Sequence, residues 1–369
     1  MDSRVSTLVG RLGGDPNRVR LTRAPGRVNL IGDHTDYNDG FCLPMAIDRD
    51  CIVGAAPGRG RRVRAESLDT AERVDLSTDG SAAADPGWGR FVAAATRVVS
   101  DRFGPVSAVD LAVSSTVPIG SGLSSSAALC VALLGALADS PGRDGGRLEW
   151  ARAARDVEVL ATGVPVGLMD QLASVFGRRD AALFLDCRTL DVVPVALPAT
   201  LAVGVVHCGV ARSLESSAYA ERREACAAAA RRLGLPALRD ATIAQVADDP
   251  IARHVVSENA RVIDAVDALR RGDAATLGTL MGESHASLRD DFRVSTPELD
   301  TLVEALLHAG AIGARVTGAG FGGCVVAVCA PDRRDEILGR AGDRYGMLTG
   351  LEPRAFAVQA VDGAGPLEP

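Results

Sequence analysis

The run Pro118-Ile119-Gly120-Ser121-Gly122-Leu123-Ser124-Ser125-Ser126-Ala127-Ala128 limits what this chain can become more than any other stretch. A β-rich run, Val113 to Val117, leads into it, and an apolar helical run, Leu129 to Leu137, leads out. Two glycines two residues apart let a backbone approach a ligand without interference from Cβ atoms. Three serines then stand where the helix begins, where side-chain oxygens cap free N–H groups. Those N–H groups and the positive end of the helix dipole make a site for an anion, most simply phosphate. A capped helix after an ordinary loop explains such a run equally well in isolation, so the rest of the chain has to decide.

The chemistry of the phosphate grip is narrowed by composition. All forty basic residues are arginine and there is no lysine. A P-loop of the Gly-Lys-Ser/Thr type, whose lysine reaches the outer phosphates, is therefore excluded. A bound nucleotide must be held by backbone amides, arginine and metal. The net charge of −7 argues against nucleic acid as a partner. A length of 369 residues leads us to expect two domains. No apolar run approaches a membrane span, and the start, Met1-Asp2-Ser3-Arg4, lacks the pattern of a secretory signal. Eight cysteines (42, 51, 130, 187, 208, 226, 324 and 329) show no paired metal spacing. They read as buried reduced thiols of a cytoplasmic protein.

Three further stretches carry chemistry. Ala24 to Gly40 places Arg27, Asp33, His34 and Asp36 within ten residues, punctuated by glycines. Carboxylates and imidazole that accept hydroxyl protons, with an arginine to hold an anion, suit a sugar; a solvated turn capped by aspartates is the competing account. Gly163 to Leu172 sets Asp170 among apolar residues after a Gly/Pro loop. A carboxylate there is costly unless paired or hydrogen-bonded, or it caps its own helix. Ala314 to Ala327 carries a second glycine-rich loop between strands, which by itself reads as a tight hairpin.

Elsewhere we expect a short helix before residue 20, strands over 51–78, and helices over Gly87–Ser100 and Leu148–Thr162. Leu137–Gly146 reads as an exposed loop and Ser213–Tyr219 as a polar linker. Strands are expected at Ala181–Asp186, Val192–Leu197 and Leu201–Val206, and helices at Ala220–Leu233, Ile251–Arg271, Ala274–Asp290 and Thr296–Ala309. A helix, Asp332–Tyr345, and a strand, Arg354–Val361, close the chain.

Taken together, these stretches resemble the GHMP kinases, and among them the galactokinases. Gly26 to Asn38 is similar to the galactokinase signature, Pro118 to Ala128 to the superfamily's ATP loop, and Thr317 to Cys324 to its third motif. Gly167 to Gln171 and Glu283 to Asp291 are also galactokinase-like. The resemblance implies an α+β, two-domain GHMP-kinase-like fold with the active site in the cleft between an N-terminal domain (1–190) and a C-terminal domain (191–369). We expect the last strand to be able to cross back. The implied reaction is transfer of the ATP γ-phosphoryl group to the anomeric hydroxyl of galactose, in a cytoplasmic monomer.

By the same resemblance Asp170 is the catalytic carboxylate and Arg27 its cationic partner. Gly120, Ser121, Gly122, Leu123, Ser124, Ser125 and Ser126 hold ATP, and Ser126 and Glu158 bind Mg²⁺. Asp33, His34, Asp36, Gly167 and Tyr219 match galactose-binding positions. Three departures bear on the substrate: Asp33 replaces the usual glutamate, His207-Cys208-Gly209 stands where an Asn-containing run is usual, and Ala319 replaces a glycine. They leave open a kinase for a related hexose, uronic acid or amino sugar, and a sugar- and ATP-binding sensor without catalysis.

Overall fold

The computed structural model describes residues 3–80, 87–138, 146–210 and 215–368. In chain order the elements are α1 (Ser3–Arg11), β1 (Arg20–Asn29), β2 (Phe41–Cys42), β3 (Pro44–Pro57), β4 (Arg62–Ser67), β5 (Arg73–Ser77), α2 (Gly89–Arg102), β6 (Val109–Ser115), α3 (Ser125–Leu137), α4 (Gly146–Thr162), α5 (Met169–Phe176), β7 (Ala181–Asp186) and β8 (Asp191–Ala196). They continue as β9 (Ala202–His207), α6 (Glu215–Leu233), α7 (Pro250–Arg271), α8 (Ala274–Asp290), α9 (Pro297–Ala309), β10 (Gly313–Thr317), β11 (Cys324–Cys329), α10 (Arg334–Thr349), β12 (Arg354–Val358) and β13 (Gly365–Leu367).

The first sheet runs β13-β1-β3-β6-β4-β5, antiparallel except for the parallel β4–β6 pair. Helices α2 to α5 bury one face of it, and α1 packs Val5, Leu8 and Val9 on the other. The second sheet runs β10-β11-β9-β12, and β2, β7 and β8 form a small third. In β11, Val325, Ala327 and Cys329 join the core under α9 and α10, while Cys324, Val326 and Val328 join the core shared with the first sheet. That strict alternation is the period-two signature of a strand covered on both faces.

Some expectations need correction. The polar run at 213–219 is not a linker throughout, because α6 already begins at Glu215; Ser213 and Leu214 lie outside the described residues, as do 139–145 of the predicted loop. Strand β13 was not anticipated, since three residues including Gly and Pro carry no alternation. It pairs Leu367 with Leu21 and Gly365 with Arg23. Strand β8 lies beyond residue 190 and pairs with β7.

Helix α8 meets β10 through glycine. A Cβ on Gly278 would stand 2.2 Å from the Ile312 carbonyl oxygen, and one on Gly313 would stand 2.7 Å from the Gly278 Cα. Gly278→Ala should therefore lower stability by about 1–3 kcal/mol through overpacking, despite the better helix propensity of alanine. A lower urea midpoint at unchanged slope is the expected result.

Candidate active site

Arg27 enters the site at an irregularity in its strand. The β1–β3 register shifts between Pro25 and Arg27, and such a bulge re-aims the side chains beside it. A Cβ on Gly26 would lie 2.6 Å from the Leu123 carbonyl, so glycine is what lets the strand touch the loop. The Arg27 amide donates to that same carbonyl at 3.1 Å. Its guanidinium forks onto Asp170, Nε to Oδ1 and Nη2 to Oδ2, each at 2.8 Å. Nη1 donates to the Gly122 carbonyl at 2.6 Å.

Asp170 is the second residue of α5, whose cap is Leu168. Its carboxylate is thus not spent on its own helix; it takes Arg27 and the Ser124 hydroxyl instead. The serines also depart from the capping expected of them. Ser124 occupies the cap position of α3 without a side-chain capping bond. Gly120, Gly122 and Ser124 have φ of 70°, 80° and 62°, and left-handed residues alternating with ordinary ones make an anion-holding concavity of backbone amides. An added Cβ on Gly120 meets nothing within 4 Å, so conformation rather than space requires glycine there.

Ser126 donates to Glu158 Oε1 at 2.5 Å and Gln171 Nε2 donates to Oε2 at 2.6 Å. Burial, reinforced by the Asp170 charge and opposed by the Ser126 bond, pushes the Glu158 carboxyl up to about 7. A buried carboxylate with a hydroxyl beside it is a hard-oxygen pair that a divalent cation would stabilise. Among the described residues there is no cluster of three or more His, Cys, Asp or Glu suited to a metal, so most ligands of such a cation would come from phosphate and water.

The early polar segment meets the third motif. His34 Nε2 lies 3.2 Å from the Ala319 carbonyl and Nδ1 lies 2.8 Å from the Tyr37 hydroxyl. The carbonyl can only accept, so Nε2 carries the proton and Nδ1 accepts from Tyr37. Burial drives the His34 pKa down to about 3, and the ring is neutral. Asp36 is pushed up to about 6 by burial and then by Asp170. A Cβ on Gly167 would stand 1.6 Å from Asp36 Oδ2, so only glycine fits against that carboxylate. Tyr219 packs edge-on to Tyr37, centroids 5.5 Å apart. All the predicted sugar residues therefore line one cleft of about 690 Å³ with Arg27, Asp170 and the serine loop. Trp88, Phe91 and Leu129 give that cleft an apolar end.

A layer behind the sugar residues was not read from the sequence. Arg315, fully buried, pairs with Asp33 Oδ2 at 2.7 Å and lies 3.7 Å from Glu258. The Gly318 amide donates to Asp33 Oδ1 at 3.1 Å. Glu258 accepts from the Gly32 amide, Ser284 and Arg261. His254 bridges Ser287 and the Asp33 carbonyl. Burial raises the Asp33 pKa against the pull of Arg315. The signal available was a charged residue, Arg315, alternating with Val316 in an otherwise apolar strand, and a strand reading alone leaves its partner unknown.

The chain matches the galactokinase galactose-binding signature over residues 11–57, the GHMP kinase N-terminal domain over 90–178 and the GHMP kinase C-terminal domain over 265–346. The mevalonate kinase of Methanococcus jannaschii shares the fold at a TM-score of 0.69 and 18% identity, over 93% of this chain and 98% of that one. These define a GHMP kinase. A galactokinase from Roseiflexus sp. (strain RS-1) is 42% identical over 94% of this chain and 92% of its own. The crystal structure of Lactococcus lactis galactokinase complexed with galactose superposes with a TM-score of 0.90 at 30% identity, over 99% of each chain. The chain belongs to the galactokinase family. Among the described residues no helix is long and apolar enough to cross a membrane.

Glu158 also gives the fold a pH dependence. Its folded pKa of about 7 lies above the ordinary 4.5. The neutral acid thus favours the native state fully below about 4.5, and that contribution is lost as pH rises through about 7. Relative to wild type, Glu158→Gln should gain stability across that window by at most about 1.4 kcal/mol per pH unit, then level off. Urea titrations at several pH values, without added divalent metal, check this.

Proposed function

We propose that this enzyme transfers the γ-phosphoryl group of ATP to the anomeric hydroxyl of α-D-galactose, giving galactose 1-phosphate and ADP. The observation that carries the reading is the Arg27–Asp170 pair, set between the serine-rich loop and the His34–Asp36 segment in one cleft. Phosphoryl transfer is mostly positioning and charge stabilisation, and each requirement has a residue available.

In this reading the amides of Gly120, Gly122, Ser124, Ser125 and Ser126 cradle the phosphates at the start of α3; contrary to expectation, the Leu123 amide is already given to Ser121 Oγ and that of Ser121 to the Pro118 carbonyl. The apolar end at Trp88, Phe91 and Leu129 takes the base. Asp33, His34, Asp36, Gly167 and Tyr219 hold the sugar hydroxyls and turn the anomeric oxygen toward Asp170. Neutral His34, its two ring nitrogens engaged by Ala319 and Tyr37, shapes the pocket without adding charge, and Asp33 is held from behind by Arg315. Asp170 accepts the hydroxyl proton, while Arg27 steadies it and offsets negative charge on the transferring group. Ser126 and Glu158 would hold Mg²⁺, which when bound supplies positive charge to the phosphates. The shorter acid at Asp33 is compatible with galactose, since its carboxylate is already fixed by two partners and the sugar needs only to meet it.

The test is ADP release over a panel of hexoses, uronic acids and amino sugars, with the phosphorylated carbon located by NMR. Galactose is expected to be the preferred acceptor and C1 the phosphorylated carbon; a uronic acid or amino sugar turning over faster overturns the substrate assignment. Asp170→Asn should lower kcat at least about a hundredfold, with galactose and ATP binding largely retained. Near-normal turnover of that variant would remove Asp170 from its role.

A further inference from the structure

Two cysteines stand back to back against the sugar segment. Cys42, fully buried at the end of β2, lies with its Sγ 3.8 Å from the Sγ of Cys187, which is half-buried just after β7. The backbone already joins the two segments, with the Cys187 amide donating to the Gly40 carbonyl at 2.9 Å and Cys42 registered opposite Leu185. We propose that Cys42 and Cys187 form a reversible disulfide that weakens sugar binding, a regulation that rests on the sugar site assigned above.

The geometry says which side gives way. The residues flanking Cys187 are pinned: Asp186 by a two-point bond to Arg239, and Arg188 by a two-point bond to Asp240. Sulfurs in a disulfide stand roughly 2 Å apart, so closing the gap draws Cys42 toward Cys187. Cys42 Sγ is 3.3 Å from the Thr35 hydroxyl, which itself lies 2.7 Å from the Phe41 carbonyl and 2.9 Å from that of Gly32. Thr35 sits between His34 and Asp36. A Cβ on Gly40 would meet Thr35 Cβ at 2.8 Å and Asn259 Oδ1 at 2.4 Å, so the packing has no slack to absorb the shift. The displacement therefore passes into the sugar residues rather than into the serine loop.

The chemistry balances with a peroxide as oxidant. The Cys187 thiolate attacks a peroxide oxygen, the O–O bond breaks, and the departing hydroxide takes a proton and leaves as water. The sulfur is oxidised by two electrons to a sulfenic acid. The Cys42 sulfur then attacks it, the S–O bond breaks, and a second water leaves with the Cys42 proton. Burial, and then the neighbouring Cys187, hold the Cys42 thiol well above its ordinary pKa, which suits the resolving rather than the attacking sulfur. A dithiol reverses the bond.

The experiment treats the folded enzyme with hydrogen peroxide, maps disulfides by mass spectrometry of an arginine-specific digest, and measures steady-state kinetics. We expect a Cys42–Cys187 cross-linked peptide and a galactose KM raised about fivefold or more. The ATP KM should move much less, and dithiothreitol should reverse both effects. In a glutathione redox buffer, saturating galactose should shift the thiol–disulfide balance toward the dithiol by the factor by which the disulfide weakens galactose binding. Cys187→Ser, at a half-buried position, should turn over normally when reduced and lose both the cross-link and the KM change. Cys187 found modified without Cys42, or a cross-link with an unchanged galactose KM, overturns the proposal. Absence of galactose turnover in the fully reduced enzyme instead overturns the kinase reading, so the two failures are distinct.

Discussion

The fork of Arg27 onto Asp170 is the interaction on which the rest of the molecule's arrangement depends. It ties a strand of the first sheet to the first turn of α5, and its third nitrogen ties both to the serine-rich loop at Gly122. Three chain segments about 50 to 140 residues apart are thereby fixed at one point. The pair is asymmetric in exposure, the arginine side chain 6% and the aspartate 28% exposed. The cation is anchored in protein while the acid faces the cleft. A two-point arginine fork gives a fixed orientation that a lysine, as a point charge, would not. In a chain without lysine this is also the available means of placing a permanent cation there.

Behind the cleft the structure tolerates several buried charges, and their arrangement explains how. Asp33, Arg315, Glu258 and Arg261 alternate in sign, with backbone amides and serine hydroxyls taking the remaining carboxylate oxygens. Buried ions are costly unless paired and hydrogen-bonded, and here each acid has both. Glu258 is held down to about 2 by Arg261 and Arg315 against the opposing effect of burial. Fixing such charges orients Asp33 and the Gly32 turn. Arg315, Glu258 and Arg261 thus bear on the segment carrying Asp33 without lining the cleft themselves.

How far the sequence reaches follows from what sequence encodes. The cleft residues lie in short runs, Arg27 to Asp36 and Gly120 to Ser126, where unusual side chains sit beside glycines. Such runs can be read because their chemistry is poor core material. Long helices such as α7 and α9 are legible from periodicity, with caps at Asp249 and Thr296 marking their starts. The partners of those residues are a different matter. That Ser124 turns to Asp170 rather than capping α3, or that Arg315 meets Asp33, depends on contacts spanning 46 and 282 residues, and no local pattern records them. The hairpin account of the second glycine-rich loop was right about its strands, β10 and β11, and silent about its tip. There the Gly318 amide and the Ala319 carbonyl reach back to Asp33 and His34.

The pairing of β13 with β1 has a consequence for how the protein is made. Leu21 waits for Leu367, so the outer edge of β1 at Leu21 to Arg23 stays bare until a segment more than three hundred residues downstream has been made. An unpaired strand edge is a template for association with other chains, and long-range strand pairing is slow. During synthesis the nascent molecule therefore carries an open seam on the strand that leads to Arg27, and residues 365–367 act as the stitch that closes it.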